Sequence, residues 1–164
     1  MKRNLLILIT VSIILGLFGC GVKNASNVLE ITDSDREMIV EYLETKTDDI
    51  MPSHDGKTMV SVMEFLGTDK NKVYIWAYKS EYVKFQGEVK QVGDSVSLPV
   101  VLNVRKENGE LKIVNHKYPL DGERYRTDVK KLFPPNMIEL FYFVDRDKLP
   151  DVAKIRAEEK LALE

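Results

Sequence analysis

The first twenty residues decide which part of this chain is free to fold, because they have the form of an export leader. Lys2 and Arg3 precede a run of fourteen uncharged residues, 5–18. A helix that crosses a membrane needs roughly 20 apolar residues, so this run is too short to span one. A short apolar run behind a basic start is typical of a secretory signal peptide. We therefore expect the leader to be removed and the rest of the chain to fold outside the cytoplasm.

The leader ends in Leu17-Phe18-Gly19-Cys20, which resembles the lipobox of bacterial lipoproteins. The resemblance implies cleavage between Gly19 and Cys20 and a new N-terminal residue in the form of S-diacylglyceryl cysteine. Two acyl chains, such as palmitate, hold a protein stably on a bilayer, whereas one chain binds marginally. Cys20 is the only cysteine in 164 residues, so no intramolecular disulfide can form. The alternative is an ordinary secreted protein with an incidental cysteine.

This interpretation divides the chain into three segments. They are a signal peptide at 1–19, the lipidated cysteine with a flexible tether at 20–30, and a single domain at 31–164. The net charge falls from −2 to −4 on cleavage, because Lys2 and Arg3 leave with the leader. Acidic and basic residues are interspersed in the remainder, and this pattern gives no basic footprint for nucleic acid.

Hydrophobic periodicity predicts an N-terminal helix followed by four strands. The helix begins near a capping box formed by Ser34 and Glu37. Its apolar stripe comprises Met38, Ile39, Tyr42 and Leu43. The predicted strands are 57–66, 72–83, 96–106 and 111–118, with a polar loop at 85–94. In the second strand Val73, Ile75 and Ala77 alternate with aromatic residues, which indicates that both faces are covered.

The dipeptide Asn108-Gly109 favours a two-residue type I′ turn between the third and fourth strands. That turn sets a register with Val104 opposite Ile113, Leu102 opposite Asn115 and His116 opposite Val101. The core face of this hairpin then comprises Val100, Leu102, Val104, Leu111 and Ile113.

Pro134-Pro135 ends a short helix whose apolar face is Tyr125, Val129, Leu132 and Phe133. The apolar segment 137–144 is either a buried helical turn or a strand. Asp147 or Asp151 is expected to cap a last helix with the stripe Val152, Ile155 and Leu161. Together these elements predict an α+β fold, an antiparallel sheet of at least four strands with an N-terminal helix and C-terminal helices packed on it.

Segments between 57 and 135 resemble a small extracytoplasmic domain of Gram-positive bacilli. The matching pieces read SLPVVLNV (97–104), NGEL (108–111), YPLDGERY (118–125) and KLFP (131–134). That domain occurs in lipoproteins and beside β-lactam-sensor-type membrane metallopeptidases. The resemblance implies a mixed α+β module on the outer membrane face. It implies no catalytic residue, because the HExxH motif of those metallopeptidases is absent from this sequence.

Few residues point to chemistry. His54 lies in an acidic loop, 48–55, that matches no known metal site, and we expect neither a metal nor another cofactor. The sequence has no nucleophile elbow and no phosphate-binding glycine loop. Cys20 is consumed by the lipid, so no catalytic residue is assigned. A Ser-His-Asp set assembled by folding, which would use His54 or His116, stays open, as does a pair drawn from the 26 carboxylates.

Two surfaces are candidates for binding. Tyr74, Trp76, Tyr78 and Tyr82 form an aromatic ladder at strand spacing. It is either a face that stacks on sugars or peptidoglycan fragments or, as we favour, a sheet face covered by a helix. The second candidate is a basic helix face, which either binds anionic lipid or wall polymer or, as we favour, is an ordinary solvated surface. Its residues are Arg124, Arg126, Lys130 and Lys131.

The sequence therefore predicts a non-enzymatic binding or interaction module, lipid-anchored on the extracytoplasmic face of the cell membrane. Its partners would be the membrane, through the lipid on Cys20, and another envelope protein or a cell-wall component. The alternative is a carboxylate-dependent hydrolase acting on cell-wall material. That activity requires a concave pocket with two acids whose pKa values are pushed apart.

Overall fold

The computed structural model describes residues 29–163 and shows one antiparallel sheet between two layers of helices. Its elements in chain order are α1 (Asp33–Thr45), β1 (Thr58–Asp69), β2 (Lys72–Phe85), β3 (Glu88–Glu107), β4 (Glu110–Lys117), α2 (Tyr125–Leu132), α3 (Pro135–Leu140) and α4 (Leu149–Ala162). The strands pair in the order β1-β2-β3-β4. α1 packs on one face and α2, α3 and α4 on the other. The predicted α+β class and helix placement are confirmed.

The second strand, β2, is buried on both faces, as its sequence pattern indicated. Val73, Ile75 and Ala77 pack beneath α1, whereas Tyr74 and Trp76 point towards α2, α3 and α4. A strand that is covered by helices on both sides takes apolar residues at successive positions, which explains the apolar run from Val73 to Tyr78. β2 therefore carries the centre of both hydrophobic clusters.

Two hairpins turn on residues in the left-handed region. Asn108-Gly109 joins β3 to β4 with φ values of 53° and 87°, as the predicted type I′ turn requires. Gln86-Gly87, with φ values of 53° and 84°, joins β2 to β3 in the same way. β3 therefore begins at Glu88. The prediction of a loop at 85–94 is wrong, because most of this segment belongs to β3. Glutamine is a weak turn signal, so the sequence pattern did not reveal this hairpin.

The register of the β3–β4 hairpin shifts at a bulge. Val104 pairs with Ile113 as predicted, but Leu102 pairs with His116, not with Asn115. The extra residue lies on β4, and such an insertion changes the pairing beyond it. The predicted core face is nevertheless confirmed, because all five of its residues lie in the cluster beneath α1.

The capping box of α1 lies two residues earlier than predicted. The Thr32 hydroxyl accepts from the Asp35 backbone N–H (3.1 Å), and the Asp35 carboxylate accepts from the Thr32 N–H (3.0 Å). Ser34 and Glu37 therefore do not form it. The earlier position also brings Ile31, which precedes the cap, against the hydrophobic cluster.

The C-terminal helices match the sequence only in part. α2 forms where it was predicted and ends before Pro134-Pro135. The segment 137–144 forms a helical turn, not a strand. Neither Asp147 nor Asp151 caps α4 through its side chain.

The buried row of α4 differs from the predicted stripe. The prediction of Val152 and Ile155 is wrong, since both are exposed. Alanine side chains let a helix approach a sheet closely, and residues four apart share one helix face. The row that faces the sheet is therefore Leu149, Ala153, Ala157 and Leu161.

Candidate functional site

The aromatic ladder lies in the core beneath the C-terminal helices. Tyr74 packs on Phe133 with 5.7 Å between ring centroids, and Trp76 packs edge-on against Phe141 at 5.3 Å. The ladder residues are only 1–4 % exposed, so their rings are closed to a sugar. This burial corrects the interpretation as a ligand-stacking face, because α2, α3 and α4 use the same surface for packing. The residues concerned are Tyr74, Trp76, Tyr78 and Tyr82.

The opposite face of β2 continues into two buried charges, of which Lys79 is the first. Its Nζ donates to the carbonyl oxygens of Thr47 (2.9 Å) and Met51 (3.4 Å) and to the Thr47 hydroxyl. Burial lowers the pKa of this amine from 10.5 to about 8, although nearby carboxylates act in the other direction. Lys79 therefore supplies hydrogen bonds to the loop that follows α1.

Glu81, the second buried charge, binds the segment that precedes β1. Its carboxylate accepts from the His54 backbone N–H (2.7 Å), from the His54 ring (3.0 Å) and from Lys57 Nζ (3.0 Å). Burial acts to raise the pKa of this carboxyl, but the hydrogen bonds from Lys57 and His54 outweigh burial and hold it below 4.5. Within residues 29–163, no three acidic, histidine or cysteine side chains gather to hold a metal ion.

A third buried charge, Glu44 of α1, links both helix layers around the β1 edge of the sheet. Its carboxylate accepts from Lys160 Nζ (2.8 Å), from the Ser61 backbone N–H (2.9 Å) and from Arg156 Nε (3.4 Å). Lys160 and Arg156 belong to α4, and Ser61 belongs to β1. We therefore assign Glu44 a structural role.

Folding brings together three polar residues that no sequence motif linked: Tyr42 of α1, Asp49 of the next loop and His116 of β4. His116 Nδ1 lies 2.9 Å from the Tyr42 hydroxyl oxygen, and His116 Nε2 lies 3.0 Å from both Asp49 carboxylate oxygens. In a neutral imidazole these partners assign Nε2–H as the donor to Asp49 and Nδ1 as the acceptor from Tyr42.

This order of carboxylate, imidazole and hydroxyl has the form of a catalytic triad, but the hydroxyl is a phenol. Burial, with a further contribution from the Asp49 charge, raises the pKa of Tyr42. An activated nucleophile needs the opposite shift or a base that removes its proton readily. The network is therefore better suited to holding its members in place than to attacking a substrate.

Asp49 also forms part of a cleft between β3 and the segment that joins β4 to α2. The cleft has a volume of about 460 Å³, within the usual range for small-molecule sites. Tyr118 stacks on the His116 ring and donates to the Asp49 carbonyl oxygen (2.7 Å), and Trp76 Nε1 donates to the Ser97 hydroxyl (2.9 Å). Two walls are thus held by hydrogen bonds. The polar lining residues are Asp49, Ser95, Ser97, Tyr118, Asp121 and Tyr125.

An exposed aromatic pair lies between α3 and α4. Tyr142 is 87 % exposed and Phe143 is 81 % exposed, whereas the preceding Phe141 is buried. We call Tyr142 and Phe143 the aromatic tip. The sequence contained a signal for it, because the consecutive apolar residues 140–144 cannot all lie on one face of a short helix.

The remaining candidates lie at the surface or outside the described residues. The basic residues Arg124, Arg126, Lys130 and Lys131 are all exposed. Gly19 and Cys20, the predicted cleavage and lipidation residues, lie outside the described range. From Leu29 to Leu163, no helix combines the length and the apolar character needed to cross a membrane. Comparison of the chain with protein-family models, curated proteins and solved structures found no match in any of the three.

Proposed function

We propose that this chain is a lipid-anchored, non-enzymatic binding module at the outer face of the cytoplasmic membrane. The leader and the lone Cys20 in its lipobox support the anchor. One structural observation carries the binding role: the cleft is ordered by hydrogen bonds, which hold Asp49 on one wall and Ser97 on the other. A wall that is already ordered lowers the entropic cost of binding a ligand.

The lining of the cleft favours a ligand rich in hydroxyl or amine groups. Asp121 and Asp49 supply carboxylate oxygens at its edge, and Ser95 supplies a hydroxyl. The rings of Tyr118 and Tyr125 supply apolar surface beside these polar groups. A segment of a cell-wall component, or of another envelope protein, presents this combination.

The anchor can be tested by intact-mass analysis of the mature protein. We expect a chain that begins at Cys20 and carries a diacylglyceryl group, because the lipobox directs both modifications. A Cys20→Ser variant should keep its leader and incorporate no labelled palmitate. A free thiol at Cys20 in the mature protein would contradict the proposal.

The cleft can be tested by filling it. Ser95→Trp places a large side chain in the cleft, whereas Ile155→Trp places the same side chain at an exposed position on α4, away from the cleft. We expect Ser95→Trp to weaken binding of soluble muropeptide fragments, or crosslinking to an envelope protein, by about tenfold or more. Ile155→Trp should behave as the wild type. Equal binding by both variants would remove the cleft as the site.

A hydrolase remains the second candidate, because the cleft brings two carboxylates, Asp49 and Asp121, to one concavity. Asp49 is already engaged by His116 through both oxygens, so Asp121 would have to act as the acid or base. Release of soluble products from purified wall material by the wild type, and its loss in Asp121→Asn, would favour this alternative.

A further inference from the structure

The aromatic tip is exposed on an ordered turn. The Phe143 N–H donates to the Leu140 carbonyl oxygen (3.0 Å), and Arg146 Nη2 donates to the Phe141 carbonyl oxygen (3.2 Å). Phe141 packs on Trp76, so the backbone beside the tip is held against the core. Tyr142 and Phe143 therefore point outwards because their neighbours are fixed. Adjacent aromatic side chains exposed to this degree are characteristic of interaction surfaces.

The helix that leads into the tip begins at the end of the domain from which the chain leads back to Cys20. The Leu29 carbonyl oxygen accepts from the Thr68 hydroxyl (3.0 Å), which places the first described residue at the β1–β2 turn. Met137 of α3 lies against the neighbouring Gly67, where a Cβ would meet the Met137 methyl carbon at 2.6 Å. α3 begins beside this turn and leads directly into the tip.

The tether restricts how far this end can move from a bilayer. Nine Cα–Cα steps separate Cys20 from Leu29, so a fully extended tether reaches at most about 30 Å. A lipid on Cys20 would therefore keep the tip within reach of the membrane surface.

We propose that the aromatic tip inserts into the interfacial region of the same membrane that holds the lipid on Cys20, an inference that rests on the proposed anchor. Tyrosine suits this position because it joins an apolar ring to a polar hydroxyl, and phenylalanine adds a ring that the acyl boundary can bury. The flanking segment, 139–148, carries three acidic and two basic residues. This near-neutral balance means that insertion depends on apolar contact and not on attraction to anionic headgroups.

The test uses the lipidated protein in phosphatidylcholine vesicles with brominated acyl chains, prepared with and without phosphatidylglycerol. Phe143→Trp places a fluorescent reporter in the tip. Phe85→Trp places the same reporter at an exposed phenylalanine in the β2–β3 hairpin, at the opposite end of the sheet. The buried Trp76 is common to both variants and to the wild type, so its signal can be subtracted. Thermal melting of both variants checks that each is folded.

We expect bromine to quench the added signal in Phe143→Trp about threefold more than in Phe85→Trp. The difference should persist in about 0.5 M salt and without phosphatidylglycerol. Equal quenching of both variants in floating vesicles would overturn the tip insertion and leave the anchor intact. Crosslinks between two copies of the chain through position 143, without quenching, would also overturn the insertion and leave the anchor intact. They would identify a second copy of the chain as the partner of the tip. Loss of flotation by the wild type would overturn both the anchor and the insertion.

Discussion

The two faces of β2 are built differently although they belong to one strand. The face beneath α2, α3 and α4 carries aromatic residues from Tyr74 to Tyr82, interrupted only by the small buried Ser80. The face beneath α1 begins with Val73 and Ile75, and it ends with the buried charges Lys79 and Glu81 beneath the loop that joins α1 to β1.

The difference follows from what covers each part of the strand. A helix pairs most of its own backbone groups, so apolar side chains are sufficient beneath it. A loop leaves backbone groups unpaired, and burying them without partners is costly. Lys79 donates to the loop carbonyls of Thr47 and Met51, and Glu81 accepts from the His54 N–H. The contribution of the aromatic face to stability should therefore come mainly from packing. The contribution of the charged part should change with the protonation of Lys79 and Glu81.

Trp76→Ala should have the largest effect on stability, because it removes the centre of the aromatic face. The ring packs on Phe141 and lies 4.1 Å beneath the guanidinium carbon of Arg146. We expect the free energy of unfolding to fall by about 3–5 kcal/mol, measured by urea denaturation followed by circular dichroism. Phe85→Ala, at a half-exposed ring, should change it by about 0.5 kcal/mol or less. Similar losses in both variants would mean that the aromatic face is not the principal core.

Lys79 predicts a pH dependence of opposite sign to that of the aromatic face, where burial raises the pKa of Tyr82 from 10.0 to about 12 and stability therefore falls as pH increases above 10.0. The Lys79 pKa falls from 10.5 in the unfolded chain to about 8 in the fold, so the unfolded chain binds more protons between these values. Stability from this group therefore rises as pH increases through that window, by at most about 3 kcal/mol.

Urea midpoints at pH 8, 9 and 10 should rise in the wild type relative to Lys79→Met. Tyrosine ionisation is common to both proteins, so the difference between them reports the amine. Parallel pH profiles would show that Lys79 keeps its ordinary pKa.

Glu81→Gln should cost about 2 kcal/mol at neutral pH, because it weakens charge-assisted hydrogen bonds from Lys57 and His54. The Glu81 pKa is below 4.5 in the fold, so its contribution is present above that pH and is lost as pH falls through the folded value. The difference in unfolding free energy between wild type and variant should therefore shrink in acid. A constant difference from pH 7 to below 4.5 would contradict the assignment.

The parts of the fold that depend on local chemistry could be predicted from the sequence. Alternation along β2 fixed both of its faces, since side chains on a strand point in alternate directions. Asn108-Gly109 located a hairpin because few other residues tolerate positive φ at both turn positions. The helix that precedes Pro134-Pro135 ended where proline removes a backbone donor.

The parts that depend on long-range packing could not be predicted. Asp49 and His116 are 67 residues apart, and only the bulge in β4 brings His116 into register with Leu102 and towards Asp49. The buried face of α4 was missed because Ala153 and Ala157 carry a weak hydrophobic signal, although they fit closest to the sheet. Hydrophobic periodicity identifies the most apolar face of a helix. In α4 that face is not the one that packs against the sheet.

The smallest effect on stability is expected from substitutions in the aromatic tip, whose rings do not pack on the aromatic face of β2. Phe141, Tyr142 and Phe143 are consecutive, yet only Phe141 is buried. Phe141→Ser should destabilise the domain by about 3 kcal/mol or more, because it removes the partner of Trp76. The double variant Tyr142→Ser/Phe143→Ser should change the free energy of unfolding by about 0.5 kcal/mol or less in the absence of lipid. A loss comparable to that of Phe141→Ser would mean that the tip packs against the domain in solution. In that case its rings could not enter a membrane without first separating from the domain.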